Sequence, residues 1–202
     1  MKRIMLLLLC GMALMAVGAQ ASFVKIDFSE DAAWASDSLL SSYADDVTYE
    51  DEGWSFLATD DVLRETTADR RIGDYSWRLR DSVWTAVNDN AGSWSGFSIQ
   101  VRGWSTTEPS ANNPWTLDYS LDGGANWNLV SDSIASTNPL DWETYGANFG
   151  LTAVDAGDFV VRLSSPNEGD RLNLGEFTAV PEPGTVGLLA LGLLGVAYRR
   201  RR

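Results

Sequence analysis

Histidine is absent from these 202 residues, and cysteine occurs once, at Cys10. Without histidine, Ser-His-Asp and Cys-His arrangements are excluded, as are zinc or iron sites built on imidazole. Cys10 lies in an apolar run near the amino terminus that has the form of a removable signal. Once that run is gone, the chain has neither a thiol nucleophile nor a disulfide, so its stability must come from a hydrophobic core. Between the two ends no stretch sustains a helical period for three turns, which argues against a helical domain.

Basic residues are also scarce where a domain would lie. Of 15 Lys+Arg, six (Lys2, Arg3, Arg199, Arg200, Arg201 and Arg202) sit at the chain ends, leaving nine; of 28 Asp+Glu only Glu182 does, leaving 27. The middle therefore carries a net charge near −18. Such a surface repels nucleic acid and anionic lipid, and it favours cations or neutral or basic ligands.

The ends themselves read as addresses. Met1-Lys2-Arg3 is a basic n-region, the run IMLLLLCGMALMAV is an apolar h-region, and Ala19-Gln20-Ala21 supplies the small residues that a signal peptidase inspects. Residues 1–21 are thus expected to be a signal peptide cleaved after Ala21. At the other end Pro181-Glu182-Pro183 removes two backbone donors, so a strand arriving through residues 172–178 must stop there. The run TVGLLALGLLGVAY follows and ends on Arg199, Arg200, Arg201 and Arg202. A short inner-membrane helix with a cytoplasmic arginine stop is expected; at about fifteen apolar residues it falls short of the roughly twenty that span a bilayer.

The order Pro181-Glu182-Pro183, a Leu/Gly/Ala-rich run and an arginine cluster resembles the PEP-CTERM sorting signal over residues 180–202. The resemblance implies an exosortase, a membrane-embedded cysteine transpeptidase acting near the Pro-Glu-Pro motif. It also implies delivery to the envelope or extracellular matrix of a Gram-negative bacterium. The same tail is called an ice-binding-protein C-terminal domain, although no regular Thr-rich repeat offers an ice-matching face.

Between the addresses, residues 22–179 suit a single domain. Residues 96–102 and 115–121 alternate apolar and polar, and 23–28, 54–57, 75–80, 159–163 and 172–178 do so more weakly. With turn residues between them, these segments predict an all-β antiparallel sandwich. The acidic stretch 30–46 is read as a loop or one short helix with Trp34 inward. Most of the nine Trp belong in the core; Trp104, Trp115 and Trp142, near loops or strand ends, are the better candidates for exposure, although core or rim packing is expected even for them. The segments GDYSWRLRDS, SGFSIQVRGW and WTLDYSLDGGANW resemble the jelly-roll sandwiches of bacterial surface proteins, which implies an interaction module.

Ser120, Asp122, Gly124 and Trp127 form the pattern Ser-x-Asp-x-Gly-x-x-Trp, which resembles the Asp-box hairpin. Gly supplies positive φ, the Asp122 carboxylate accepts from turn amides, and Trp127 folds back over the hairpin. A propeller needs several copies of such a motif, and this chain has one. The role expected of it is structural.

With no histidine, catalysis reduces to carboxylates. Asp45-Asp46 and Glu50-Asp51-Glu52 are the candidates for a glycosidase pair. No catalytic or cofactor residue is assigned. A structural calcium is compatible with the Asp-rich segments Asp60-Asp61, Asn88-Asp89-Asn90 and 155–158, none of which follows an EF-hand. The expected partners are signal peptidase, exosortase, the inner membrane and exopolysaccharide, not nucleic acid. A carbohydrate-active hydrolase and a purely structural matrix protein stay open beside the exported binding module.

Overall fold

The alternating segments do form strands. A computed structural model describes residues 23–28, 47–59, 62–65, 76–80, 82–103, 114–134, 141–165 and 171–181. The signal segment 1–21, the stretch 30–46 with Trp34, the pairs Asp45-Asp46 and Asp60-Asp61, Trp104 and the tail from Glu182 to Arg202 lie outside the described residues. One compact unit runs from Val24 to Val180.

Its strands in chain order are β1 (Val24–Asp27), β2 (Val47–Asp51), β3 (Trp54–Thr59), β4 (Val62–Glu65), β5 (Ser76–Arg80) and β6 (Val83–Asn88). Then follow β7 (Gly92–Gly103), β8 (Trp115–Ser120), β9 (Asn128–Ile134), β10 (Glu143–Val154), β11 (Val160–Ser164) and β12 (Arg171–Pro181). Among the described residues no helix is long and apolar enough to cross a membrane.

The first sheet has the order β10-β7-β12-β5-β4, with β1 also on β12; the second has β2-β3-β6-β11-β8-β9. From β5 onward the chain changes sheet at every connection except the β8–β9 hairpin. This is jelly-roll winding, which lets each strand bury one face against the opposite layer.

Aromatic rings fill the space between the layers. Trp54 of β3 is fully buried, with its ring centroid 5.3 Å from Trp94 on β7, 5.1 Å from Phe159 and 4.9 Å from Phe177 on β12. Phe28, just past β1, lies 5.4 Å from both Phe56 and Trp77. Aromatic pairs of this kind, most of them edge-to-face, contribute about 0.5–1.5 kcal/mol each beyond their burial. They give a disulfide-free domain its core.

Of the three tryptophans near loops or strand ends, Trp115 has the core packing expected of most. It is fully buried, not exposed, because it begins the inward-facing set Trp115 and Leu117 of β8 and stands opposite the buried Ile134. Trp142 is half-buried.

Five strands, β2, β4, β6, β9 and β10, lie outside the segments that alternate in the sequence. On β6 the outward positions Val83, Thr85 and Val87 are β-branched like an inward set, which hides the alternation with Trp84 and Ala86. On β10 small residues and a register shift between Asn148 and Thr152 break the period. The glycosidase candidate Glu50-Asp51-Glu52 is the end of β2 and its turn into β3. Glu52 at φ 48° and Gly53 at φ 77° make the two-residue positive-φ connection that matches strand twist. At the other end of the chain β12 continues to Pro181, the first proline of the triplet, and stops there.

Candidate functional site

The bend where β7 meets β10 shapes a groove on the outer face of the first sheet. Inward-facing residues switch parity there, from Trp94 to Phe97 and Ile99 on β7, while β10 shifts register between Asn148 and Thr152. Such bulges re-aim a strand locally. The result is a groove of about 340 Å³ lined by Ser95, Gly96, Phe97, Ser98, Gly146, Ala147, Asn148 and Val180.

Its floor is backbone. Gly96 pairs with Asn148 and Gly146 with Ser98, and a Cβ added at Gly146 would lie 2.1 Å from the Phe97 carbonyl oxygen. One added at Gly96 would lie 2.5 Å from that of Ala147. Neither position admits a side chain, so the strands stay close and a ligand can reach peptide groups directly. Phe97 contributes main chain only, since its ring is buried among Tyr119, Phe159 and Phe177.

The rim is uncharged and its exposed lining is mostly apolar, with Ser95, Ser98 and Asn148 as its polar side chains. Ser95 Oγ donates to the Val180 carbonyl at 3.2 Å, fixing the last turn of β12 against β7. Asn148 Oδ1 accepts from Gly150 N at 3.1 Å, which orients its carboxamide. Immediately before Gly146, Tyr145 donates its hydroxyl to Glu143. Burial first, then Glu143, pushes that phenol up to about 12, so it stays protonated at neutral pH.

On the second sheet the hairpin between β8 and β9 holds Ser120, Asp122, Gly124 and Trp127 together. Ser120 Oγ donates to Asp122 Oδ1 at 2.7 Å and accepts from Gly124 N at 2.8 Å. Asp122 Oδ1 accepts from Asn126 N at 2.8 Å and Oδ2 from Asn126 Nδ2 at 2.6 Å. Gly123 and Gly124 take φ of 67° and 91°, and the Trp127 ring lies over Gly124. The Arg162 guanidinium stacks 3.8 Å from the centroid of that ring. It also donates in bidentate fashion to the nearly buried Asp118, at 2.9 and 2.7 Å. These contacts leave the motif occupied with its own turn.

The carboxylate of Asp122 has a measurable signature. Its hydrogen bonds to the Asn126 side chain and backbone and to Ser120 lower its pKa from the usual 3.8 to about 2. A depressed folded-state pKa gives stability that is fully present above the unfolded value and is lost as pH falls through the folded one. Thermal denaturation should show the wild type losing its advantage over Asp122→Asn between about pH 4 and pH 2. A pH-independent difference would contradict this.

The other acidic candidates stand apart from the groove. Asn88, fully buried, donates to the carbonyls of Asn90 at 2.9 Å and Asp155 at 3.0 Å and accepts from Phe159 N at 2.7 Å. It thereby joins the 88–90 and 155–158 segments with an amide. Asp89 accepts from Ser55 Oγ at 2.7 Å. Among the described residues no three acidic side chains gather in a way that could hold a metal ion.

Sequence reading did not single out the groove. The signal available was glycine inside a strand pattern, at Gly96 and Gly146, which marks a bulge or a close backbone approach.

The tail and the fold were each compared with known proteins. Residues 179–202 match the family model described as the PEP-CTERM protein-sorting motif. No curated protein matches the chain. Among solved structures, the chain is similar to the CBM22-1 xylan-binding domain from Paenibacillus barcinonensis Xyn10C, at 13% identity and a TM-score of 0.44 over 78% of this chain and 92% of that one. It is also similar to TmCBM61, solved with β-1,4-galactotriose, at 12% identity and TM-score 0.43 over 78% and 99%. A family 35 carbohydrate-binding module from Clostridium thermocellum gives 14% identity and TM-score 0.40 over 69% and 100%.

Proposed function

We propose that this chain, which ends in a PEP-CTERM sorting motif, is an exported envelope or matrix protein. Its sandwich binds polysaccharide in the β7–β10 groove. The signal segment 1–21 directs export, the tail holds the precursor in the inner membrane with arginines inside, and an exosortase acts near Pro181-Glu182-Pro183. The sandwich is then left at the cell surface or in exopolysaccharide.

The observation that carries the binding role is the groove itself, with a bare backbone floor between hydroxyl and carboxamide rims. Sugar hydroxyls both donate and accept, and such a surface offers them the Ser95, Ser98 and Asn148 side chains and the remaining lone pairs of strand carbonyls. No carboxylate lines it. Retaining or inverting hydrolysis uses two, so the reading is capture of a glycan without cleavage.

Affinity electrophoresis of the full chain in detergent, through gels containing polysaccharides, tests this. Ser98→Ala and Asn148→Ala should each weaken retention about five- to tenfold, the effect of losing one hydrogen bond worth about 1–1.4 kcal/mol. Both variants should melt with the wild type. No retention of the wild type by any polymer, or equal retention of both variants, would favour a purely structural matrix protein.

A further inference from the structure

The charge distribution adds a substrate class to the groove. The domain's two longest intervals without an ionisable charge are residues 90–101, between Asp89 and Arg102, and 144–154, between Glu143 and Asp155. They are far apart in sequence, and the fold pairs them with each other, from Glu143 opposite Val101 to Val154 opposite Gly92. In a domain near −18 overall, a whole two-stranded strip is kept neutral, and the groove lies on it.

We infer that the groove takes neutral polysaccharide and turns away chains bearing uronate, sulfate or phosphate groups; this rests on the groove being a glycan site. Anionic ligands are held by arginine, lysine or a helix N-terminus, and none of these is among the lining residues. A carboxylate pressed onto the glycine floor would lose water and gain only neutral donors, while the surrounding acidic domain repels it.

Positive charge on the first sheet lies elsewhere. Lys25 of β1, opposite Thr178 on β12, is paired with Glu176 at 2.9 Å. Arg64 belongs to β4, Arg78 and Arg80 to β5, Arg171 to the start of β12 and Arg102 to the far end of β7, and the last four are already engaged in an interaction. Arg102 stands four residues beyond Ser98, about 13 Å along a strand at ~3.3 Å per residue. That exceeds the Debye length of about 8 Å at physiological ionic strength, so its field at the groove is screened.

The test is retention of the full chain in detergent by neutral xylan, galactan and glucan, against alginate, polygalacturonate and dextran sulfate, at low and high salt. At least one neutral polymer should bind roughly tenfold more tightly than every acidic one, and salt should not alter its binding. Ser98→Lys should gain salt-sensitive retention on an acidic polymer. Tight binding of an acidic polymer that Asn148→Ala abolishes would overturn the inference while leaving the groove as the glycan site. No retention on any polymer would sink both.

Discussion

Gly146→Ala should lower the melting temperature by about 6 °C and abolish polysaccharide retention. The added Cβ would lie 2.1 Å from the backbone oxygen of Phe97 and 2.9 Å from Ser98 Cα. Both are main chain in a paired strand, so neither can move aside as a flexible side-chain tip would. Overpacking of this kind costs about 1–3 kcal/mol, and at roughly 2–4 °C per kcal/mol for a domain of this size the middle of that range gives the figure above. Relief by separating β7 from β10 would disrupt the groove floor at the same time. Gly150 provides the contrast: an added Cβ there has nothing within 4 Å, and only its φ of 73° restricts the residue. Asparagine tolerates that conformation, so Gly150→Asn should melt within about 2 °C of the wild type. Equal effects at the two glycines, measured by calorimetry, would show that the β7–β10 approach is not the constraint described.

Replacing Pro181, Glu182 and Pro183 together by alanine should stop processing entirely while leaving the sandwich intact. Residues 179–202 match the sorting motif, and exosortase action is proposed near these three. Of the three, Pro181 ends β12 and is only half-buried. Changes at such a site usually fall within about 0.5 kcal/mol. The expected result is a precursor that accumulates in the membrane fraction, disappears from the medium, and still melts at the wild-type temperature. Normal release of the triple variant would remove the motif from the account. A large drop in melting temperature would instead trace the defect to folding.

The two kinds of information in the sequence had different reach. The tail was legible because its signal is contiguous: two prolines around Glu182, an apolar run and four arginines need no fold to be recognised. The sandwich was legible wherever polar and apolar residues alternate, as at Phe97, Ile99 and Val101 against Ser98, Gln100 and Arg102. It was hidden where both faces carry apolar or small residues, as on β6 and in Tyr145-Gly146-Ala147-Asn148 of β10. Trp115 was ambiguous because it follows a loop segment ending in Pro114, whereas a residue distant in the chain, the buried Ile134, stands opposite it.

The groove could not be read locally at all. Gly96 and Gly146 are fifty residues apart, and each alone is an ordinary strand glycine. Their meaning comes from register, which sets Ser98 beside Gly146 and Asn148 beside Gly96. The neutral intervals 90–101 and 144–154 were visible from the start, but only their pairing turns them into one surface.

The claim on which the rest depends is that terminal addresses bracket one acidic β-sandwich and are removed as it is delivered. Intact-mass measurement of the protein recovered from envelope and medium of an exosortase-producing strain tests it most directly. The account predicts a chain that begins at Ser22 and has lost the segment beyond Pro181-Glu182-Pro183. Mature protein whose mass still extends to Arg202 would contradict it.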